Sequence, residues 1–183
     1  MAIDYAGLYP NTRVRGLEEV TNNLNKQIIE ITQRTMSGLI KAAAHVRRST
    51  ENTAPVTPVD LGNLRASWFV VTSNSIPVGK SPTFIGYQAI KLSGEHSMTV
   101  AEAQEIIVAK TTGRIKFLMM GYSVNYALFV HEMIGADFKR VKKVKDKKTG
   151  KNRLLSSGPK WLETALKRET PRIIQIIKEN ASF

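Results

Sequence analysis

A chain of 183 residues with 42% hydrophobic content is long enough for one packed domain and too short for two ordinary ones. It has no cysteine, which excludes a disulfide framework and thiol chemistry. The formal net charge of +12 directs attention to polyanions and acidic surfaces. No basic leader precedes an apolar run, and no window approaches the ~20 apolar residues of a membrane span, so a soluble, unprocessed protein without membrane contact is expected.

Residues 1–15 lack periodicity and carry Tyr5, Tyr9 and Pro10 among small and polar residues, the composition of an extended N-terminal arm that orders against a partner. The remaining 16–183 read as a single α+β domain. From Gly16 onward Leu17, Val20, Leu24, Ile28, Ile31, Leu39, Ala43 and Val46 recur at intervals of three and four, with Thr35 where the stripe lapses. This predicts a helix with one buried face. Glu18 and Glu19 open it and Arg47 and Arg48 come near its end, the order that suits the helix dipole. At 1.5 Å per residue the run would reach roughly 50 Å, so it should cross a sheet and project beyond it.

Pro55 and Pro58 stop this helix, Asp60 to Asn63 has the composition of a tight turn with Gly62 at positive φ, and the following residues through Val71 alternate as a strand. Two prolines and a glycine mark 73–83 as loop, a second strand is expected over Phe84 to Ile90, and Thr99 with Glu102 forms a capping box before a short helix ending near Thr111 to Gly113. Ile115 to Tyr122 is almost continuously apolar, as in a central strand. A short helix over Asn125 to Glu132 would place Tyr126, Phe129 and Val130 against the core. Residues 138–155 form a basic hairpin, Phe138 to Lys145 returning as Lys151 to Leu155 across a turn with Gly150. Gly158-Pro159 opens a last helix that Pro171 should kink or split. Its Leu162 and Leu166, and Ile173, Ile174, Ile176 and Ile177, are core candidates. The expected core sets Leu24, Ile28, Ile31, Leu39 and Val46 against a small, mostly antiparallel sheet carrying Trp68, Val70, Phe117 and Met119.

Three ordered stretches carry a family resemblance. Pro58-Val59-Asp60-Leu61-Gly62-Asn63-Leu64-Arg65 turning into a strand after a long helix, Val124 to Glu132 (VNYALFVHE), and Gly158 to Leu166 (GPKWLETAL) together resemble the tail-completion and head-tail joining (neck) proteins of tailed bacteriophages. About two thirds of the chain is covered. The resemblance implies a long N-terminal helix and a C-terminal helix packed on the sheet, with 74–113 as an insertion. It implies a virion protein of the neck or head-proximal tail end, assembled in the host cytoplasm. Such a protein forms a homo-oligomeric ring, six subunits preferred and twelve an alternative, that completes the tail and joins it to the head. Neighbouring neck, adaptor, tail-terminator or tail-tube proteins would be its partners. Asp60, Gly62, Asn63 and Arg65 are then the structural turn.

No catalytic pattern emerges, so an enzyme, a cofactor and a metal are not expected. Gly79-Lys80-Ser81 is similar to the end of a phosphate-binding loop, but Asn74 stands where the earlier glycine is required. His45, His96 and His131 lie on different elements with no metal-ligand spacing, and His131-Glu132 reads as a surface pair. Asp60 suits a turn better than a substrate. Glu102, Glu105 and Glu132 make no acid/base pair.

The charge is concentrated in one place. Lys139, Arg140, Lys142, Lys143, Lys145, Lys147, Lys148, Lys151 and Arg153 are set against the lone Asp146. Such a strip is a solvated hairpin, a contact for an acidic neighbouring subunit, or a phosphate-binding surface. Only Phe138 could stack on single-stranded bases. The alternative to a virion ring is therefore a small basic, nonspecific DNA-binding protein, and a ring protein could itself touch double-stranded genomic DNA transiently.

Overall fold

The computed structural model describes residues 17–73, 82–111, 116–135, 138, 141–145 and 152–182. Helix α1 (Leu17–Asn52) leads through a bend with a cis Ala54-Pro55 peptide bond to the one-turn α2 (Asn63–Ala66) and strand β1 (Trp68–Thr72). Helix α3 (Ala89–Lys110), strand β2 (Leu118–Tyr122) and short α4 (Ala127–Glu132) follow. The hairpin β3 (Val141–Lys145) and β4 (Asn152–Ser156) then gives way to α5 (Trp161–Ala181).

β1 and β2 pair antiparallel, with Trp68 opposite Tyr122, Val70 opposite Met120 and Thr72 opposite Leu118. Directly opposed residues share a face. One face therefore presents Trp68, Val70, Leu118 and Met120 to Ala43 and Val46 of α1 and to Ala165 of α5, with Leu162 and Leu166 alongside. The other face sets Phe69, Val71, Phe117 and Met119 against Ala103 and Ile107 of α3. The result is three layers, with α1 and α5 on one side, the two strands in the middle, and α3 behind.

This corrects the expected core in one strand. Phe117 and Met119 lie on the α3 side, because an unbroken apolar run carries no alternation from which its face could be read. The stretch expected as an insertion holds more than a short helix. α3 begins at Ala89, so Phe84 to Ile90 is not a strand, and Thr99 and Glu102 sit in the middle of the helix with no cap to make. Leu92 of α3 packs with Phe84, Leu64 and Trp161 in a separate cluster.

α5 runs antiparallel to the second half of α1 and is continuous through Pro171. Interior proline costs about 3 kcal/mol, yet the buried Ala165 and Ile176 on either side hold both halves of α5 in place. Ile174, by contrast, is exposed. Gly38 lets the helices approach: a Cβ there would lie 3.1 Å from Ile177 Cα. A polar clasp joins the same helices further along. His45 Nε2 lies 2.7 Å from Glu169 Oε2, Ser49 Oγ donates to Glu169 Oε1 at 2.8 Å, and Arg168 donates to Ser49 Oγ and to the Ala54 carbonyl. These donors hold the Glu169 carboxyl down at about 2, the His45 bond contributing most.

Among the described residues the first half of α1 has no such cover. Val20 is 56% exposed and Leu24 54%, Ile29 and Ile31 are exposed, and Ile28 is only half-buried. The expectation that Leu24, Ile28 and Ile31 face the sheet is overturned, and Leu39 too is only half-buried. The helix does project beyond the sheet. α5, at 21 residues against the 36 of α1, runs out before the apolar stripe does.

Candidate assembly site

At the C-terminal end of α1 the chain is tied back on itself. The Thr57 N–H donates to the Thr50 carbonyl at 2.8 Å, and both threonine hydroxyls share hydrogen bonds with the Tyr122 hydroxyl, at 3.2 Å from Thr50 and 3.0 Å from Thr57. Burial raises the Tyr122 pKa from its ordinary value. This fixes where Pro58 to Asn63 emerges.

Gly62 has φ +94°, as the turn requires, and nothing lies within 4 Å of where a Cβ would be. The need for glycine is therefore one of backbone conformation and not of space. Asn63 is buried and acts as a two-way clamp, receiving the Ile85 N–H at 2.8 Å and donating to the Ile85 carbonyl at 2.9 Å. Arg65 donates to the Thr57 carbonyl at 3.1 Å, and desolvation lowers its pKa while Glu51 opposes the shift. The turn thus opens a one-turn helix before its strand begins.

Three distant stretches meet here. Leu64, Val124, Ala127 and Trp161 share one buried cluster, and Tyr126, Val130 and Leu162 pack against it. The Ser123 N–H donates to the Ser67 carbonyl at 3.0 Å and the Lys160 N–H to the His131 carbonyl at 2.8 Å. Trp161 stands edge-on to Tyr122 and His131, with ring centroids 6.0 and 4.8 Å apart. The segments that carry the family resemblance therefore form one continuous piece of core.

Around them the surface is apolar and indented. A cavity of about 320 Å³ lies between Pro58 to Leu64 and Tyr126, Val130 and Phe138. A second of about 290 Å³ lies across the turn, against Ile85, Tyr87 and Leu92. Tyr87 is 94% exposed, Leu128 72% and Phe129 66%, and Leu61, Ile85 and Ile134 are exposed with them. The expectation that Phe129 packs against the core is overturned. Six residues give α4 too few turns to bury all its apolar side chains, and Ala127 takes the inward position.

His131 and Glu132 form the expected pair, Nδ1 to Oε1 2.8 Å, and Glu132 also pairs with Lys160, which reaches Glu163 at 3.4 Å. Bonds from Lys160 and then His131 lower the Glu132 pKa. Among the described residues no group of three or more His, Asp or Glu side chains is arranged to hold a metal. Gly79-Lys80-Ser81 lies outside the described residues.

β3 and β4 pair antiparallel as the basic hairpin, Lys142 opposite Leu155, Lys143 opposite Leu154, Val144 opposite Arg153 and Lys145 opposite Asn152. Leu155 is buried, and a bridge between Val56 and Ser157 ties the hairpin's exit to the α1 end of the fold. Lys139, Arg140, Lys147, Lys148 and Lys151 lie outside the described residues, as does the arm. No described helix is long and apolar enough to cross a membrane.

Comparison of the chain with family models, curated proteins and solved structures finds no match.

Proposed function

We propose that this protein is a structural component of a tailed-phage virion, assembling as a ring at the neck or head-proximal end of the tail to complete the tail and join it to the head. The observation that carries this reading is the first half of α1, a projecting helix whose apolar stripe is left uncovered by the described residues. A protein working alone gains nothing from such a face, whereas a subunit built into an assembly does. The convergence of the three resembling stretches on one core adds support, since their order along the chain becomes a single structural unit. Six subunits is the preferred closure, on the resemblance alone, and twelve the alternative. The neighbours would be neck, adaptor, tail-terminator or tail-tube proteins, and the location the virion.

In this role the basic hairpin reaches sideways or outward to an acidic surface of a neighbouring ring or subunit. A channel lining that must let DNA slide is poorly served by nine positive charges gripping phosphates. Changing Lys142, Lys143, Lys147 and Lys148 to glutamate should block head-tail joining, seen as separate heads and tails by electron microscopy, while the purified protein stays folded. Normal virion yield would overturn this role.

The same nine charges support a second reading, nonspecific contact with double-stranded DNA. If the parent retards duplex DNA at ~150 mM salt, where weak phosphate contacts are much reduced, and the fourfold variant does not, DNA binding replaces the protein contact as the work of the strip.

A further inference from the structure

Among the described residues two apolar surfaces stand uncovered, one toward each end of α1. The first is the stripe of Val20, Leu24, Ile28 and Ile31 on the free half of α1. Thr35 extends it, because its hydroxyl is occupied by the Ile31 carbonyl at 2.8 Å and its methyl group is left to pack. This stripe continues the face that α5 covers from Gly38 onward, and α5 stops where Asn180 pairs with Lys41. A helix of this length, rich in asparagine, threonine and isoleucine, gains little stability from propensity and depends on packing. The second surface is the indented patch beyond the other end of α1, where Leu61, Ile85 and Tyr87 flank one cavity and Leu128, Phe129 and Ile134 continue the apolar surface along α4.

We propose that the free half of α1 from one copy seats on the indented patch of the next copy. This deepens the ring reading and rests on it. Within one chain the two surfaces cannot meet, because the helix from Ile31 to Thr50 holds their near edges roughly 30 Å apart. Pairing of one free helix with another would cover the stripe and leave the patch in water. The head-to-tail contact covers both at once, a projecting rod against a concave surface, and repeats around a closed ring when the rotation permits. Its energy comes from apolar burial; the free half carries Glu18, Glu19 and Glu30 against Lys26 and Arg34, so no strong like-charge field opposes approach.

The absence of cysteine makes the contact directly testable. A chain carrying both Leu24→Cys and Phe129→Cys should, on mild oxidation, give a ladder of covalently linked copies ending at the ring size, while either single variant gives none. Linkage of Leu24→Cys with itself would show free helices pairing with each other and overturn the proposal. A second measurement uses sedimentation. Val20→Ser with Leu24→Ser, and separately Leu128→Ser with Phe129→Ser, should each reduce the assembled protein to single chains that still unfold cooperatively in urea. Mixing the two variants should restore a two-chain species, because one intact stripe then meets one intact patch. A parent that sediments as a single chain up to its solubility limit, or a mixture that stays single, overturns it. Immunogold labelling of virions tests the neck assignment separately, so head-to-tail assembly with no label at the neck would sink that assignment alone.

Discussion

The two halves of α1 share one helix and one apolar periodicity but have different surroundings. From Met36 onward the stripe lies between the sheet and α5, with Met36, Ala42, Ala43 and Val46 buried. Before it, the same pattern faces outward, with Val20 and Leu24 more than half exposed. The difference shows that an amphipathic pattern specifies that a face will be covered without specifying by whom. In the second half the cover is intramolecular and supports the fold. In the first half it is available for another chain.

Truncation of a buried side chain in the covered half should have the largest effect. Met36→Ala should cost roughly 2–5 kcal/mol by urea denaturation, the range for truncating a buried methionine. If Met36→Ala and Leu24→Ala destabilise the single chain equally, the distinction between the halves fails. Next, Gly38→Val tests the boundary where α5 is in its closest approach. A branched side chain would meet the backbone of Ile177, which cannot yield as a flexible side chain would, so a loss of about 1–3 kcal/mol is expected.

The clasp on the covered half gives a pH test. Glu169 titrates at about 2 in the folded chain against an ordinary 4.5, so its contribution is complete above 4.5 and fades as the pH falls toward 2. Glu169→Gln should be less stable than the parent by roughly 1–3 kcal/mol at neutral pH, and the two should converge in acid. A constant difference across that range would mean the loss is one of packing and not of charge. The smallest effect belongs to the uncovered half: Leu24→Ala should change the unfolding free energy of the single chain by less than about 0.5 kcal/mol, while still weakening self-association in sedimentation.

Much of this was legible in the residues. The three-and-four spacing marked the long helix, the pairing of Gly62 with Asp60 and Asn63 marked a turn with a left-handed position, and the charges around Gly150 marked a hairpin whose strands do pair. These features are local, set by backbone sterics and periodicity over a few residues, and so they can be read without knowing the rest of the chain.

What the tertiary structure decided was which local possibilities were used. β2 is apolar at nearly every position, so only its pairing with β1 assigned Met120 to one layer and Met119 to the other. Thr99 and Glu102 could have capped a helix, but packing of Leu92 against the Trp161 cluster and of Ile107 against the sheet extended α3 past them in both directions. Asn63 became a clamp only because Ile85 was brought beside it from 22 positions away. The uncovered half of α1 follows from a difference in length between helices far apart in the sequence, 36 residues against 21. Three-and-four spacing was enough to specify the helix and its apolar face; the length and docking of α5 set where that face stays open, because burial depends on the partner surface as well as on the residue.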